Sequence, residues 1–267
     1  MFAEKAELFR KLHRKPKILI LPNAWDVASA RIFENAGFPA IGTSSAGVAF
    51  SLGYPDGQRI SRQEMLDVVR RIARAVAVPV TADVEAGYGD PVGTAHAVEE
   101  SGAVGLNLED VSGNDESSHV PIEEQVRIIE RIRAGTGLVI NARTDIYLMG
   151  IGDPSTRFGR TVERLNAYRK AGADCLFAPG IRDAETIGRL AKAVDGPLNI
   201  LAGPSTPPVK ELEKLGVARV SVGSGPMRAA MGATQRIATE LMEWGSFSSF
   251  TEGAISYADA NRLFGRR

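Results

Sequence analysis

VPVTADVEAGYGDPVGTAHAVEESGAVGLNLED, residues 78–110, holds one complete strand–helix–strand unit. VPVTADV (78–84) is short, apolar and β-branched, and it stops at the glycine turn Gly87-Tyr88-Gly89. Pro91 then suits the first turn of a helix over 91–101, and Gly102 suits its left-handed close. A second apolar run, AVGLNLED (103–110), follows at once. Strands that are apolar on both faces, separated by a helix, are those of a parallel sheet whose outer face is covered.

The same rhythm runs outward in both directions. The apolar runs are KILILP (17–22), AIGTSS (40–45), VPVTADV, AVGLNLED, LVINARTD (138–145), DCLFAPG (174–180), PLNILAG (197–203) and RVSVG (219–223), which makes eight. Helical stretches lie between them at about 24–36, 61–75, 91–101, 121–134, 157–171, 183–194, 206–215 and 224–243. Ser61 and Glu64 stand at capping-box spacing, Pro121 suits a first helical turn, and Gly37, Gly172 and Gly216 close helices as Gly102 does. Eight such units predict an α/β fold, a (β/α)₈ TIM barrel, rather than an open doubly wound sheet. No Pro-, Ser- or charge-rich linker interrupts them, so residues 1–267 read as one domain. Residues 1–16 carry an extra N-terminal helix, and 245–267 form a C-terminal tail.

Composition narrows the functions. Lys+Arg and Asp+Glu both number 32, so no global field favours nucleic acid or an anionic membrane. No apolar run approaches the roughly 18 residues of a membrane span. The charged N-terminus is not a signal peptide, and the one cysteine, Cys175, cannot form an intrachain disulfide. A cytoplasmic protein is expected, without nucleic-acid or membrane partners.

A barrel carries its chemistry at the C-terminal ends of its strands. There the sequence places Asp83 and Glu85, Glu109-Asp110, Arg143 with Thr144-Asp145, and Asn199, with Asp56 in the loop after Ser44-Ser45. Two residues apart on an extended strand, Asp83 and Glu85 point the same way. Singly, each carboxylate reads as a helix cap or a surface charge. Together, Asp56, Asp83, Glu85 and Glu109 on one rim call for a hard cation, Mg²⁺ with Mn²⁺ as substitute, held partly through water. Only three histidines and one cysteine are present, which argues against zinc. Arg143 offers a planar fork for a substrate carboxylate. Gly223-Ser224-Gly225 reads equally as a phosphate-binding turn or a tight turn. His13 and His96 read as helix-surface residues, Cys175 as small core filler, and Asp26 as a helix N-terminal residue beside Trp25 at the barrel mouth.

GTSSAGVAFSLGYPD (42–56), TADVEAGYGD (81–90), GLNLED (105–110), NARTD (141–145) and GADCLFAPG (172–180), in this order and spacing, resemble the isocitrate lyase / phosphoenolpyruvate mutase superfamily, in its 2-methylisocitrate lyase / phosphonomutase-like branch. The resemblance covers roughly residues 15–240. It implies that Asp83 ligates Mg²⁺ directly while Asp56, Glu85 and Glu109 hold its water shell. It implies that Ser44, Ser45 and Ala46 bind the oxo-acid through hydroxyl and backbone N–H groups, Arg143 its carboxylate, and that Asn199 matches the lyase asparagine. The family chemistry breaks a C–C or P–C bond through a metal-stabilised enolate. Its members swap their last helix between subunits, so a homodimer or homotetramer is implied.

The loop VSGNDESSHV (111–120) departs from the Lys-Arg-Cys-Gly-His run of the lyases. Ser117-Ser118-His119 stands where Cys-Gly-His would be, after Asp-Glu instead of Lys-Arg. Pro179 replaces the lyase glutamate after the sixth strand, and the mutase histidine and Lys-containing loop are missing. The expected catalytic set is therefore Arg143, Glu109, His119 and Ser117. The leading expectation is a Mg²⁺-dependent C–C lyase or decarboxylase acting on a small 2-oxo or hydroxy carboxylic acid. The alternatives are a phosphonopyruvate-type C–P hydrolase or mutase and an oxo-acid-binding barrel without turnover. The loop with Tyr54, Tyr147, Phe177 and Pro179 is expected to meet the distinguishing part of the substrate.

Overall fold

The computed structural model describes residues 2–14, 16–111 and 119–265. Nine parallel strands form one nearly closed barrel: β1 (Leu19–Leu21), β2 (Asn23–Ala24), β3 (Ile41–Thr43), β4 (Val80–Asp83), β5 (Gly105–Leu108), β6 (Val139–Arg143), β7 (Cys175–Phe177), β8 (Leu198–Leu201) and β9 (Arg219–Ser221). The nine make eight staves, because β1 and β2 are halves of one extended run broken at Pro22. Proline has no N–H for a ladder. Below the break Leu19–Leu21 pair with β9, and above it Asn23–Ala24 pair with β3, so this run seals the barrel. The Pro22 carbonyl still accepts from Gly42 N (2.9 Å). Asn23 staples the seam: its Nδ2 donates to Thr43 O (2.8 Å), and its Oδ1 accepts from the backbone N–H of Val222 and Gly223 (both 2.9 Å).

The helices around the barrel are α2 (Val27–Asn35), α4 (Arg62–Ala75), α5 (Pro91–Ser101), α6 (Ile122–Gly135), α7 (Pro154–Lys170), α8 (Ala184–Ala193), α9 (Val209–Leu215) and α10 (Gly225–Glu243), close to the predicted ranges. The Ser61–Glu64 capping box is present, and Asp26 forms a second one with Ser29. Pro121 is the N-cap of α6 rather than a residue of its first turn. One short helix was not foreseen, α3 (Ser45–Ser51), which turns the chain back over the mouth. Most core residues, such as Met65, Val69, Ile72, Leu106, Ile132, Ile140 and Leu165, pack between strands and helices.

A second, smaller cluster closes the N-terminal end of the barrel. Helix α1 (Phe2–Leu12) lies across it and inserts Phe9 among Leu19, Leu21, Val104 and Val139. Gly105 makes room, since a Cβ there would stand 2.8 Å from Val139 O and 3.1 Å from Phe9 Cε1. His13, read from sequence as a surface residue, is only 4% exposed. Its Nδ1 donates to Phe9 O (2.8 Å), because α1 buries its last turn against the barrel instead of lying free. After α10 come α11 (Ser248–Thr251) and α12 (Tyr257–Phe264), with Met242 89%, Trp244 71% and Tyr257 88% exposed.

Candidate active site

At the C-terminal ends of the strands lies a cavity of about 570 Å³. Asp56, Asp83, Glu85, Glu109, Arg143, Ser44, Ser45 and Ala46, all named from sequence, line it. Asp83 ends β4 and is held rigidly. Its backbone N–H donates to Thr43 Oγ1 (2.9 Å), and its Oδ2 accepts from Ser45 N (3.0 Å) and Ser45 Oγ (2.8 Å). Ser45 thus spends both donors on Asp83. The other oxygen, Oδ1, is buried without a hydrogen-bond partner.

Glu85 reaches the cavity by a different route from the one strand alternation predicts. β4 ends at Asp83, and Glu85 sits in the left-handed region (φ 51°). Gln58 (φ 56°) and Tyr88 (φ 56°) share that conformation and hydrogen-bond into the same cluster. Gln58 N donates to Glu85 Oε2 (2.7 Å), Tyr88 N to Gln58 Oε1 (2.7 Å), and the Tyr88 hydroxyl to Glu85 Oε1 (3.2 Å). Left-handed non-glycine residues cost on the order of 1–3 kcal/mol each and persist where surroundings fix them, often at functional sites. Gly87 cannot be replaced in this turn, since a Cβ would lie 2.5 Å from Pro91 Cα.

The carboxylates raise one another. Burial first, then Asp83 and Asp56, push Glu85 up to about 7 against the hydrogen bonds from Gln58 and Tyr88. Burial raises Asp56, with Asp83 adding to it. Burial raises Glu109 strongly, and Arg143 opposes the rise. Among the described residues no three Asp, Glu, His or Cys side chains are arranged to ligate one metal directly. The set nevertheless fits Mg²⁺ in its usual manner, one direct carboxylate with water bridging to others. Asp83 Oδ1, buried without a hydrogen-bond partner among the described residues, is an oxygen that such a cation could meet, and Asp83 raises the neighbouring Asp56, Glu85 and Glu109.

Arg143, at the end of β6, is paired already. Nη1 meets Glu109 Oε1 (2.6 Å), while Nε (2.9 Å) and Nη2 (2.8 Å) meet Asp145 Oδ1. Nε–H donates to Asp145, while the two Nη groups stand in ion-pair contact with Glu109 and Asp145 as the side chain lines the cavity. Phe177 on the neighbouring strand supports it, with its ring centroid 5.6 Å from Cζ. Phe177, Leu148, Met149, Val111 and Leu201 give the cavity an apolar wall. Tyr54, Tyr147 and Pro179, expected there, are not among the lining residues; Leu148 and Met149 take that place.

Other expected residues stand elsewhere. Asn199 lies below the cavity and accepts from Ser221 Oγ (3.1 Å), a lining residue. Ser117 lies outside the described residues. His119 is not among the lining residues: its Nε2 is 3.2 Å from Oδ2 of Asp110, which is wholly buried. Asp110 Oδ2 also accepts from Arg164 Nη1 (3.0 Å) and the Tyr168 hydroxyl (2.7 Å), and Oδ1 accepts from Asp145 N (3.0 Å). Burial would raise this carboxyl, but the hydrogen bond from His119 and the charge of Arg164 bring it below its ordinary value. Gly223 and Ser224 line the cavity, and no side chain caps the start of α10 there. Sequence reading passed over Asn23 and Asn107; interior asparagines on strands were the available signal.

A family model described as phosphoenolpyruvate phosphomutase matches residues 9–242. A solved structure from Burkholderia cenocepacia J2315 is 40% identical, with TM-score 0.90, covering 99% of this chain and 97% of that one. Oxaloacetate decarboxylase of Bradyrhizobium diazoefficiens is 30% identical over 258 residues, 91% of this chain and 86% of the relative. A phosphonopyruvate hydrolase solved with oxalate and Mg²⁺ is 25% identical, with TM-score 0.86, covering 97% and 94%. With the barrel, the acidic rim and Arg143 in their expected places, this chain belongs to the isocitrate lyase / phosphoenolpyruvate mutase superfamily of lyases and mutases.

Proposed function

We propose that the protein is a Mg²⁺-dependent lyase that cleaves a C–C bond of a small 2-oxo or hydroxy carboxylic acid, with decarboxylation of an oxaloacetate-like substrate as the preferred reaction. The observation that carries this is the mixed lining of the cavity, in which Asp83 and Arg143 share the space with the apolar side chains Phe177, Leu148, Met149 and Leu201. Arg143 takes the carboxylate beside the oxo group through its guanidinium N–H groups. Asp83, fixed by Ser45 and Thr43, is the direct metal ligand, and Asp56, Glu85 and Glu109 hold its waters. The chemistry a bound Mg²⁺ supplies is Lewis acidity toward the substrate's oxo oxygen.

The distal carboxylate then lies against the apolar wall, where its charge is poorly solvated and its loss as CO₂ is favoured. The C–C bond breaks toward CO₂, its electron pair passes to the oxo oxygen as an enolate, and a proton added at carbon gives the shorter oxo-acid. Arg143 is the only cation among the described lining residues, and Glu109 and Asp145 already draw on it. His119 serves in this reading by anchoring to Asp110 rather than by moving a proton.

We also propose a homodimer or homotetramer joined through α10 and the tail, on the strength of the apolar side chains exposed there. The test of the reaction is a panel of oxaloacetate, methylisocitrate, isocitrate and phosphonopyruvate with Mg²⁺. Pyruvate from oxaloacetate, lost with EDTA and in Asp83→Ala, is expected. Phosphate from phosphonopyruvate as the main product overturns the C–C reading. Oxo-acids that raise the melting temperature without turnover would leave a binding barrel.

A further inference from the structure

Arg219 begins β9 and points into the barrel, 0% exposed. Its Nη2 crosses the interior to Asn107 Oδ1 on β5 (3.3 Å), and its Nε donates to Ser221 Oγ (3.3 Å). Its Nη1 is buried with no partner among the described residues, and the Phe9 ring lies beneath, 5.9 Å from Cζ. Burial lowers its pKa to about 10, so it stays charged at neutral pH. No carboxylate among the described residues forms an ion pair with it.

A buried cation without a counter-ion is destabilising. The position of this one gives it a use. Both of its hydrogen-bond partners, Asn107 and Ser221, line the cavity, so its charge lies one side chain below the floor. Arg143 is largely cancelled by Glu109 and Asp145, whereas Arg219 makes no ion pair among the described residues and meets the charge of Asp83 only from beyond ion-pair distance. In a low-dielectric interior such a charge acts over many ångströms.

We propose that Arg219 is a positioning residue for the anion held in the cavity: its charge, without an ion pair among the described residues, attracts the oxo-acid and, through Asn107 and Ser221, sets the floor, while it weakens the hold of the carboxylate rim on the divalent cation. The inference rests on the proposed metal and oxo-acid site. It requires removal of the charge to move cation and anion affinity in opposite directions, which a general loosening of the barrel cannot do.

Calorimetric titration of the protein with Mn²⁺ alone, and then with oxalate at saturating Mn²⁺, tests it. Arg219→Met should bind Mn²⁺ several-fold more tightly and oxalate more weakly, by on the order of tenfold, from the loss of one interior charge. Arg219→Lys should keep both affinities within about twofold of wild type, since only the charge is conserved. Unchanged oxalate affinity in Arg219→Met, or joint weakening of both ligands, overturns the inference. If Arg219→Met does not fold, Asn199→Asp sets a carboxylate in register with Arg219 and should give the same opposed shifts; unchanged oxalate binding there overturns the inference equally. A wild-type protein that binds neither Mn²⁺ nor oxalate sinks the proposed site itself.

Discussion

Asp83 shows how much one side chain depends on its neighbours. Two donors from Ser45 hold one carboxylate oxygen, Thr43 accepts from the backbone N–H of the same residue, and the other oxygen has no partner among the described residues. Ser45→Ala removes the hydroxyl but keeps the N–H, so kcat/KM should fall about tenfold, the effect of one hydrogen bond to a charged group. Asp83→Ala should abolish Mn²⁺ binding, read directly by calorimetry. His13 supplies a stability prediction. Burial lowers it to about 4 from 6.5, so between these values the unfolded chain holds a proton that the folded one does not. Stability should therefore fall by about 3 kcal/mol as pH drops through that window, and His13→Phe should flatten the slope in urea titrations at each pH. At this scale strand-end carboxylates were legible because they sit at fixed offsets from apolar runs. The route of Glu85 was not, since a left-handed glutamate depends on Gln58 and Tyr88, which approach it through tertiary structure. The burial of His13 was hidden for a similar reason: nothing in 1–16 says where α1 docks.

The elements explain why the rhythm of the sequence was readable and its joints were not. Apolar runs and helix signals located the eight staves, because each obeys local rules. The split at Pro22 and the staple at Asn23 close the barrel by contacts some two hundred residues apart, between Asn23 and Val222–Gly223. Helix α3 escaped because its seven residues carry no amphipathic stripe long enough to read. Two predictions belong here. Gly105→Ala drives a methyl group toward Val139 O and Phe9, and should cost about 1–3 kcal/mol as overpacking, seen as a lower urea midpoint with unchanged m. Asp110→Asn removes the buried charge that joins β5, α7, His119 and Asp145, leaving Arg164 uncompensated. About 3–5 kcal/mol should be lost, with a lower melting temperature.

For the whole molecule, the exposed apolar side chains of α10 and the tail are the feature that one copy of the chain leaves without a partner. Met242, Trp244, Phe247 and Tyr257 face outward together with Ile255 and Phe264. Sedimentation at micromolar concentration should show a dimer or tetramer, and Met242→Ser with Trp244→Ser should shift it toward monomer; a wild-type monomer would dismiss the proposed assembly. Sequence could point to this only through family resemblance, since apolar residues in a tail read alike whether they pack within a chain or between chains. The stopper made by α1 and Phe9 reaches further than stability. A barrel sealed at one end makes its mouth both door and exit, so two products of one cleavage must queue. On the proposed function, the fragment nearer the mouth would depart first, and an oxo-acid held at Asp83 and Arg143 would depart last. The late leaver should compete directly with incoming substrate, whereas its companion should not, and the kinetics of product inhibition would then record the depth order of the groups inside the barrel.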